Sequence, residues 1–159
     1  MNTLDYPGCL DREKKWRAIE GLNVYLANLS VLYIKLHNLH WNVVGVGFFD
    51  LHAKTQVLYE AIAGKFDELA ERIKALGFLP LASMREYLQV ATIGELPSQP
   101  IATTDVPQII IADFCSMVSL LRNIAEVAKD TIEDCGLLSE GICFFEKNIW
   151  MMNAYLGRG

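Results

Sequence analysis

Apolar residues recur at steps of three and four along almost the whole of this 159-residue chain, a period that commits it to long amphipathic helices. Trp16, Ile19, Leu22, Leu26, Leu29, Tyr33 and Leu36 form one stripe and predict a first helix running to about Trp41. Gly45-Val46-Gly47 breaks it. A second helix resumes near Phe48 with Leu51, Leu58, Ile62, Leu69, Ile73 and Leu76, and Gly77 and Pro80 end it. The third begins near Asp105, accepts Pro107 in its first turn and carries Ile110, Phe114, Met117, Leu121, Ile124 and Ala128. After a turn around Asp134-Cys135-Gly136, the fourth carries Leu138, Ile142, Phe145, Ile149, Met152 and Leu156, and Gly157 closes it.

Residues 77–104 are a different kind of segment. Ser83-Met84-Arg85-Glu86 is a capping box that starts a short helix to about Val90, and Pro97, Ser98, Pro100, Thr103 and Thr104 mark coil. Such a connection is too long for a tight turn and long enough to travel the length of a bundle, so the second and third long helices are expected to run parallel. The fold class is therefore all-α, a four-helix bundle with a short extra helix in the crossover between helices two and three. Residues 1–11 carry Pro7 and Gly8 without helical period and read as a short N-terminal tail; residues 12–159 form one bundle domain. The chain has neither an internal repeat nor a low-complexity segment.

Composition adds constraints on partners. With 52% apolar residues and a mean hydropathy of +0.23, the chain has more apolar side chains than a monomer of this size comfortably covers, and further buried interfaces would absorb the excess. Fourteen basic against nineteen acidic residues leave a net charge of −5, without the electrostatic footprint of a nucleic-acid binder. Cys9, Cys115, Cys135 and Cys143 lack zinc-ligand spacing and read as reduced, mostly buried thiols. The N-terminus lacks the basic and apolar regions of a signal peptide, and no unbroken apolar run is long enough to span a bilayer, so a cytoplasmic protein with no membrane partner is expected.

The chemistry-bearing residues concentrate between Lys35 and Arg72. This stretch holds all three histidines, His37, His40 and His52, with Trp41, Gln56, Asp67 and Glu71. Residues four apart on a helix share a face, which pairs His52 with Gln56 and Asp67 with Glu71. Two imidazoles, an amide and two carboxylates make a mixed N/O set suited to a divalent transition metal such as Fe(II). On one helix, however, His52 and Asp67 are fifteen residues apart, about 22 Å of axial rise. One chain cannot close that site. Two chains can, if their second helices cross antiparallel about a two-fold axis. The same residues also admit an interfacial salt-bridge network; His37 reads as an ordinary hydrogen-bonded histidine and Trp41 equally as core filler.

The run Lys35-Leu36-His37-Asn38-Leu39-His40-Trp41-Asn42-Val43, then Gly45, Phe48-Phe49, Leu51-His52 and Asp67-Glu68-Leu69-Ala70-Glu71-Arg72-Ile73, resembles the Dps family of mini-ferritins. Weaker likeness continues through Leu76-Gly77, Pro80-Leu81, Glu86-Tyr87-Leu88 and Ile149-Trp150-Met151-Met152-Asn153-Ala154-Tyr155-Leu156, covering most of the chain from about Leu26. The resemblance implies ferritin-like subunits in a hollow dodecamer that binds iron, oxidises Fe2+ to Fe3+ with hydrogen peroxide or dioxygen, and stores the ferric mineral. It implies His40 and His52 from one subunit, Asp67 and Glu71 from its two-fold mate, and Trp41 packed beside the site. The absence of any Glu-x-x-His motif separates the chain from full-length ferritins, whose di-iron sites lie inside one bundle. Gln56 departs from the family, which usually has an acidic ligand there. An amide offers a cation only a dipole, so at least one iron position should weaken. Glu60, one turn beyond, either compensates in part or is an ordinary solvated residue.

Two further expectations follow from the resemblance. Acidic three-fold pores would draw on Glu126, Asp130, Glu133 and Asp134, which otherwise read as a solvated helix end. Lysine-rich tails let some relatives bind DNA. Here the side chains through Arg17 are four basic (Arg12, Lys14, Lys15, Arg17) against three acidic (Asp5, Asp11, Glu13), a net of +1, which gives DNA little to bind. The rival readings are thus a cage that assembles but oxidises iron poorly, and a DNA-compacting protein.

Overall fold

A computed structural model describes residues 12–129, 131–134 and 136–158. The expected tail lies outside them, as do Asp130 and Cys135. Five helices appear: α1 (Arg12–Asn42), α2 (Phe48–Ala75), α3 (Met84–Val90), α4 (Val106–Ala128) and α5 (Leu137–Tyr155). The four long ones pack α1 on α2, α4 on α5 and α1 on α4, while α3 lies against α1. The apolar stripes form one core: Leu22, Leu26, Leu29 and Leu36 of α1 meet Leu58 and Ile62 of α2, Phe114 and Leu121 of α4 and Phe145 of α5, all nearly inaccessible.

The direction of the crossover is written in its hydrogen bonds. Asn23 accepts from the backbone of Leu81 (2.9 Å), Asn28 accepts from Thr92 (2.8 Å) while donating to its hydroxyl (2.9 Å), and Asn38 donates to the carbonyls of Leu96 and Pro97. The segment therefore climbs α1 from its N-terminal to its C-terminal part. It ends in a parallel bridge between β1 (Val43–Val44) and β2 (Ile101–Ala102), two-residue strands too short to carry a periodic signal in sequence. Because β1 leads into α2 and β2 into α4, both helices leave from the same end of the bundle and run parallel. Ser83 caps α3, its hydroxyl donating to Glu86 (2.7 Å) and facing the Glu86 amide.

One ion pair sits inside the bundle. Lys35 of α1 donates to Asp113 of α4 at 2.7 and 2.9 Å, both side chains largely buried. Burial pushes the Asp113 carboxyl above the usual carboxylate range, opposed by the Lys35 ammonium. Desolvation of both charges offsets much of their attraction, while removing either partner would leave an uncompensated buried charge.

The structure corrects two details of the sequence reading. Trp16 and Tyr33, assigned to the first core stripe, are exposed at its edges; Trp16 leans on Phe78 and Tyr33 on Tyr59, keeping their polar atoms near water. Cys115 and Cys143 are exposed, not buried. Each lies one or two positions from an inward phenylalanine, Phe114 or Phe145, and a step of one or two residues turns a helix position away from the core. The expectation of no unbroken apolar run long enough to span a bilayer stands, although α4 is long and apolar enough in mean hydropathy to cross a membrane. Its Ile110, Phe114, Met117 and Leu121 instead fill the bundle core.

Candidate metal centre

The corner between α1 and α2 brings two histidines into contact. Gly45 (φ 123°) and Gly47 (φ 90°) turn the chain through left-handed backbone that a side chain would resist. The turn lays the last helical histidine, His40, against His52 in the second turn of α2. Their rings stack with centroids 3.7 Å apart and planes 19° from parallel.

The hydrogen bonds are reciprocal. His40 Nδ1 donates to the His52 carbonyl at 2.7 Å, and His52 Nδ1 donates to the His40 carbonyl at 2.9 Å. A carbonyl only accepts, so both Nδ1 atoms carry the proton and both Nε2 atoms present a lone pair. This is the tautomer in which histidine binds a metal through Nε2. Burial holds the His40 imidazole below its ordinary pKa; the bond to the His52 carbonyl opposes this, and the charges of His52 and His37 add to it. The neutral, ligating form is favoured. The two nearly parallel rings thus bring two unprotonated Nε2 atoms to one corner.

One turn on, Gln56 is exposed and its Nε2 donates to Glu60 Oε1 at 2.9 Å. A carboxylate accepts, so the amide nitrogen faces Glu60 and the Gln56 Oε1 is its free end. Asp67 and Glu71 are exposed on the distal half of α2 and do not approach the histidines within one chain. Among the described residues, no three His, Cys, Asp or Glu side chains gather closely enough to hold a metal. The neighbouring Arg72 binds the Glu133 backbone carbonyl through Nε (2.8 Å) and its guanidinium amine, tying this end of α2 to the α4–α5 connection.

Around the histidines runs an aromatic cluster. His37 Nδ1 donates to the Tyr33 carbonyl (2.7 Å), its ring stacks on Tyr59 (3.8 Å) and lies 5.1 Å from Trp41, and Tyr59 meets His40 edge-on at 5.4 Å. Trp41 is 69% exposed, beside the site without covering it. Of the pore candidates, Glu126 and Glu133 are exposed. Asp134 is engaged as the cap of α5, accepting from the amides of Gly136 (3.2 Å) and Leu138 (3.1 Å). Sequence reasoning missed Thr55, whose hydroxyl lies 3.2 Å from His40 Nδ1. Its signal was a polar residue in core register: Leu51, Thr55, Leu58 and Ile62 are all buried at steps of four and three.

Residues 19–159 match the model of the ferritin-like domain family. "DNA protection during starvation protein 2" of Bacillus anthracis is 38% identical over 148 residues, covering 89% of this chain and 98% of the relative. The chain belongs to the Dps family. Solved Dps structures superpose closely: that from Bacillus brevis has a TM-score of 0.87 at 33% identity, covering 92% of this chain and 99% of the other. The Dps protein of Vibrio cholerae O1, described as a member of a superfamily of ferritin-like diiron-carboxylate proteins, has a TM-score of 0.87 at 35% identity over 98% of both chains. The mostly helical, ferritin-like architecture is thus shared with Dps structures over nearly its whole length.

Proposed function

We propose that this Dps-family chain is an iron-storage and detoxification mini-ferritin of the cytoplasm. Fe(II) is its substrate, bound by His40, His52 and the Gln56 oxygen of one subunit together with Asp67 and Glu71 of a two-fold partner copy, in a hollow dodecamer. Two ferrous ions each give up one electron; hydrogen peroxide takes both as its O–O bond breaks, or dioxygen serves as the acceptor. The ferric product hydrolyses, releases protons and is stored as mineral in the cavity. Removing Fe(II) and peroxide together protects the cell from oxidative stress.

The observation that carries this reading is the reciprocal bonding of His40 and His52, which leaves two unprotonated Nε2 atoms at one corner, where no carboxylate among the described residues gathers with them to hold a metal. The exposed Asp67–Glu71 pair supplies the complementary half. Anaerobic loading of the assembled protein with Fe(II), followed by peroxide, tests it through ferric absorbance. Oxidation well above the buffer rate, lost in both His52→Ala and Asp67→Ala, is the expected result. A wild-type rate equal to buffer overturns it and leaves a cage without ferroxidase chemistry, the reading Gln56 favours.

A further inference from the structure

We propose that Thr55 is a positioning residue for His40, its hydroxyl fixing the ring orientation that presents Nε2. The inference rests on the metal role of His40. Thr55 is fully buried, on the same turn of α2 as His52. Its Oγ1 lies 2.7 Å from the Leu51 carbonyl, 3.0 Å from the His52 carbonyl and 3.2 Å from His40 Nδ1. The hydroxyl proton is committed to a backbone carbonyl, which can only accept. Toward His40 the oxygen therefore offers a lone pair.

Two acceptors, the His52 carbonyl and Thr55 Oγ1, thus converge on a single ring N–H. An imidazole turned over about its Cβ–Cγ bond would face both oxygens with a carbon, and the other tautomer would face them with a lone pair. Either change forfeits two hydrogen bonds in a site where unpaired polar atoms are costly. Among the described residues, His52 Nδ1 meets no such second acceptor. With the carbonyl alone, His40 would be held as His52 is; the hydroxyl makes its orientation the more strongly determined of the two. Outer partners of this kind change metal affinity by about 10–100-fold when removed.

The test uses the full-length assembled protein. Solid-state 15N spectra of histidine-labelled protein contain only three imidazoles, and His40→Ala assigns one by its loss. Co(II) titration followed by d–d absorption reads the affinity. Thr55→Val, which keeps the shape and removes the hydroxyl, leaves the His52 carbonyl to hold the Nδ1 proton; it is expected to shift the His40 Nδ1 resonance, loosen the ring orientation and weaken Co(II) binding about tenfold, and Thr55→Ser is expected to restore both. Wild-type spectrum and affinity in Thr55→Val overturn the inference, as does weakened binding with the His40 Nδ1 resonance unchanged, or failure of Thr55→Ser to restore. Should Thr55→Val not assemble, Thr55→Ala takes its place with the same outcomes. Co(II) binding undiminished in His40→Ala overturns instead the metal reading on which the inference stands.

Discussion

An amide oxygen carries a partial charge where a carboxylate carries a whole one, and at Gln56 that difference falls one helical turn from His52. A unit charge beside a divalent ion is worth roughly 2 kcal/mol even at the dielectric of water and a 4 Å separation. Gln56→Glu is therefore expected to tighten anaerobic Fe(II) binding by at least about tenfold and to speed oxidation. Without metal, the new carboxylate would face Glu60, which now accepts from the Gln56 amide, and like charges one turn apart repel. The variant should then melt below wild type as apoprotein and gain more from added Fe(II). Equal Fe(II) affinity in the two proteins would show that position 56 does not touch the metal. His40 contributes a pH dependence of determined sign. Its folded pKa lies below the ordinary 6.5, so between those two values the unfolded chain binds more protons than the folded one. The stability it contributes is complete above pH 6.5 and is lost as pH falls through the lowered value. Denaturant midpoints measured from pH 7.5 down to 5 should fall, and the slope should flatten in His40→Gln.

At the scale of elements, the corner between α1 and α2 does most to set the site. Gly47 adopts φ 90°, and a Cβ there would run into the Tyr155 hydroxyl at the end of α5. Gly47→Ala is expected to cost about 1–3 kcal/mol of stability through backbone strain, read as a lowered thermal midpoint. By separating His40 from His52 it should also weaken Co(II) binding in the folded fraction; intact binding would show that the histidine pair does not depend on the corner. The helices themselves were legible. Breakers at Gly45, Gly77 and Gly157 and the Ser83 capping box mark boundaries that the structure places within three residues, because those signals are local. The β1–β2 bridge and the three asparagines that fasten the crossover were not. Each depends on a partner some sixty residues away, and neither a two-residue strand nor a lone asparagine carries a period.

For the whole molecule, the surface is more apolar than one subunit in water requires. Val46, Phe49, Trp41 and Trp150 are all more than 60% exposed, and three of them flank the histidine corner. Apolar surface concentrated beside a half-built ligand set is what a partner copy would cover. Light scattering on the purified protein should give a mass near twelve times 17.9 kDa; a monomer would sink the shared site, since Asp67 and Glu71 cannot reach the histidines of their own chain. The net charge of −5 per subunit would make the proposed shell acidic, with little attraction for DNA.

The sequence by itself determined the helices, their breaks, the single crossover and the residue types of the proposed metal half-sites, because hydrophobic period, caps and spacing along one helix are properties of neighbouring residues. It also excluded closure of the site within one chain, since axial rise follows from helix geometry alone. Only the tertiary structure decided which nitrogen each histidine presents, that Thr55 stands behind His40, that Asp134 is spent on a helix cap, and that Cys115 and Cys143 face outward. Those facts depend on where a side chain meets atoms from another turn or another helix, and such meetings are set by packing in three dimensions, which no local pattern encodes.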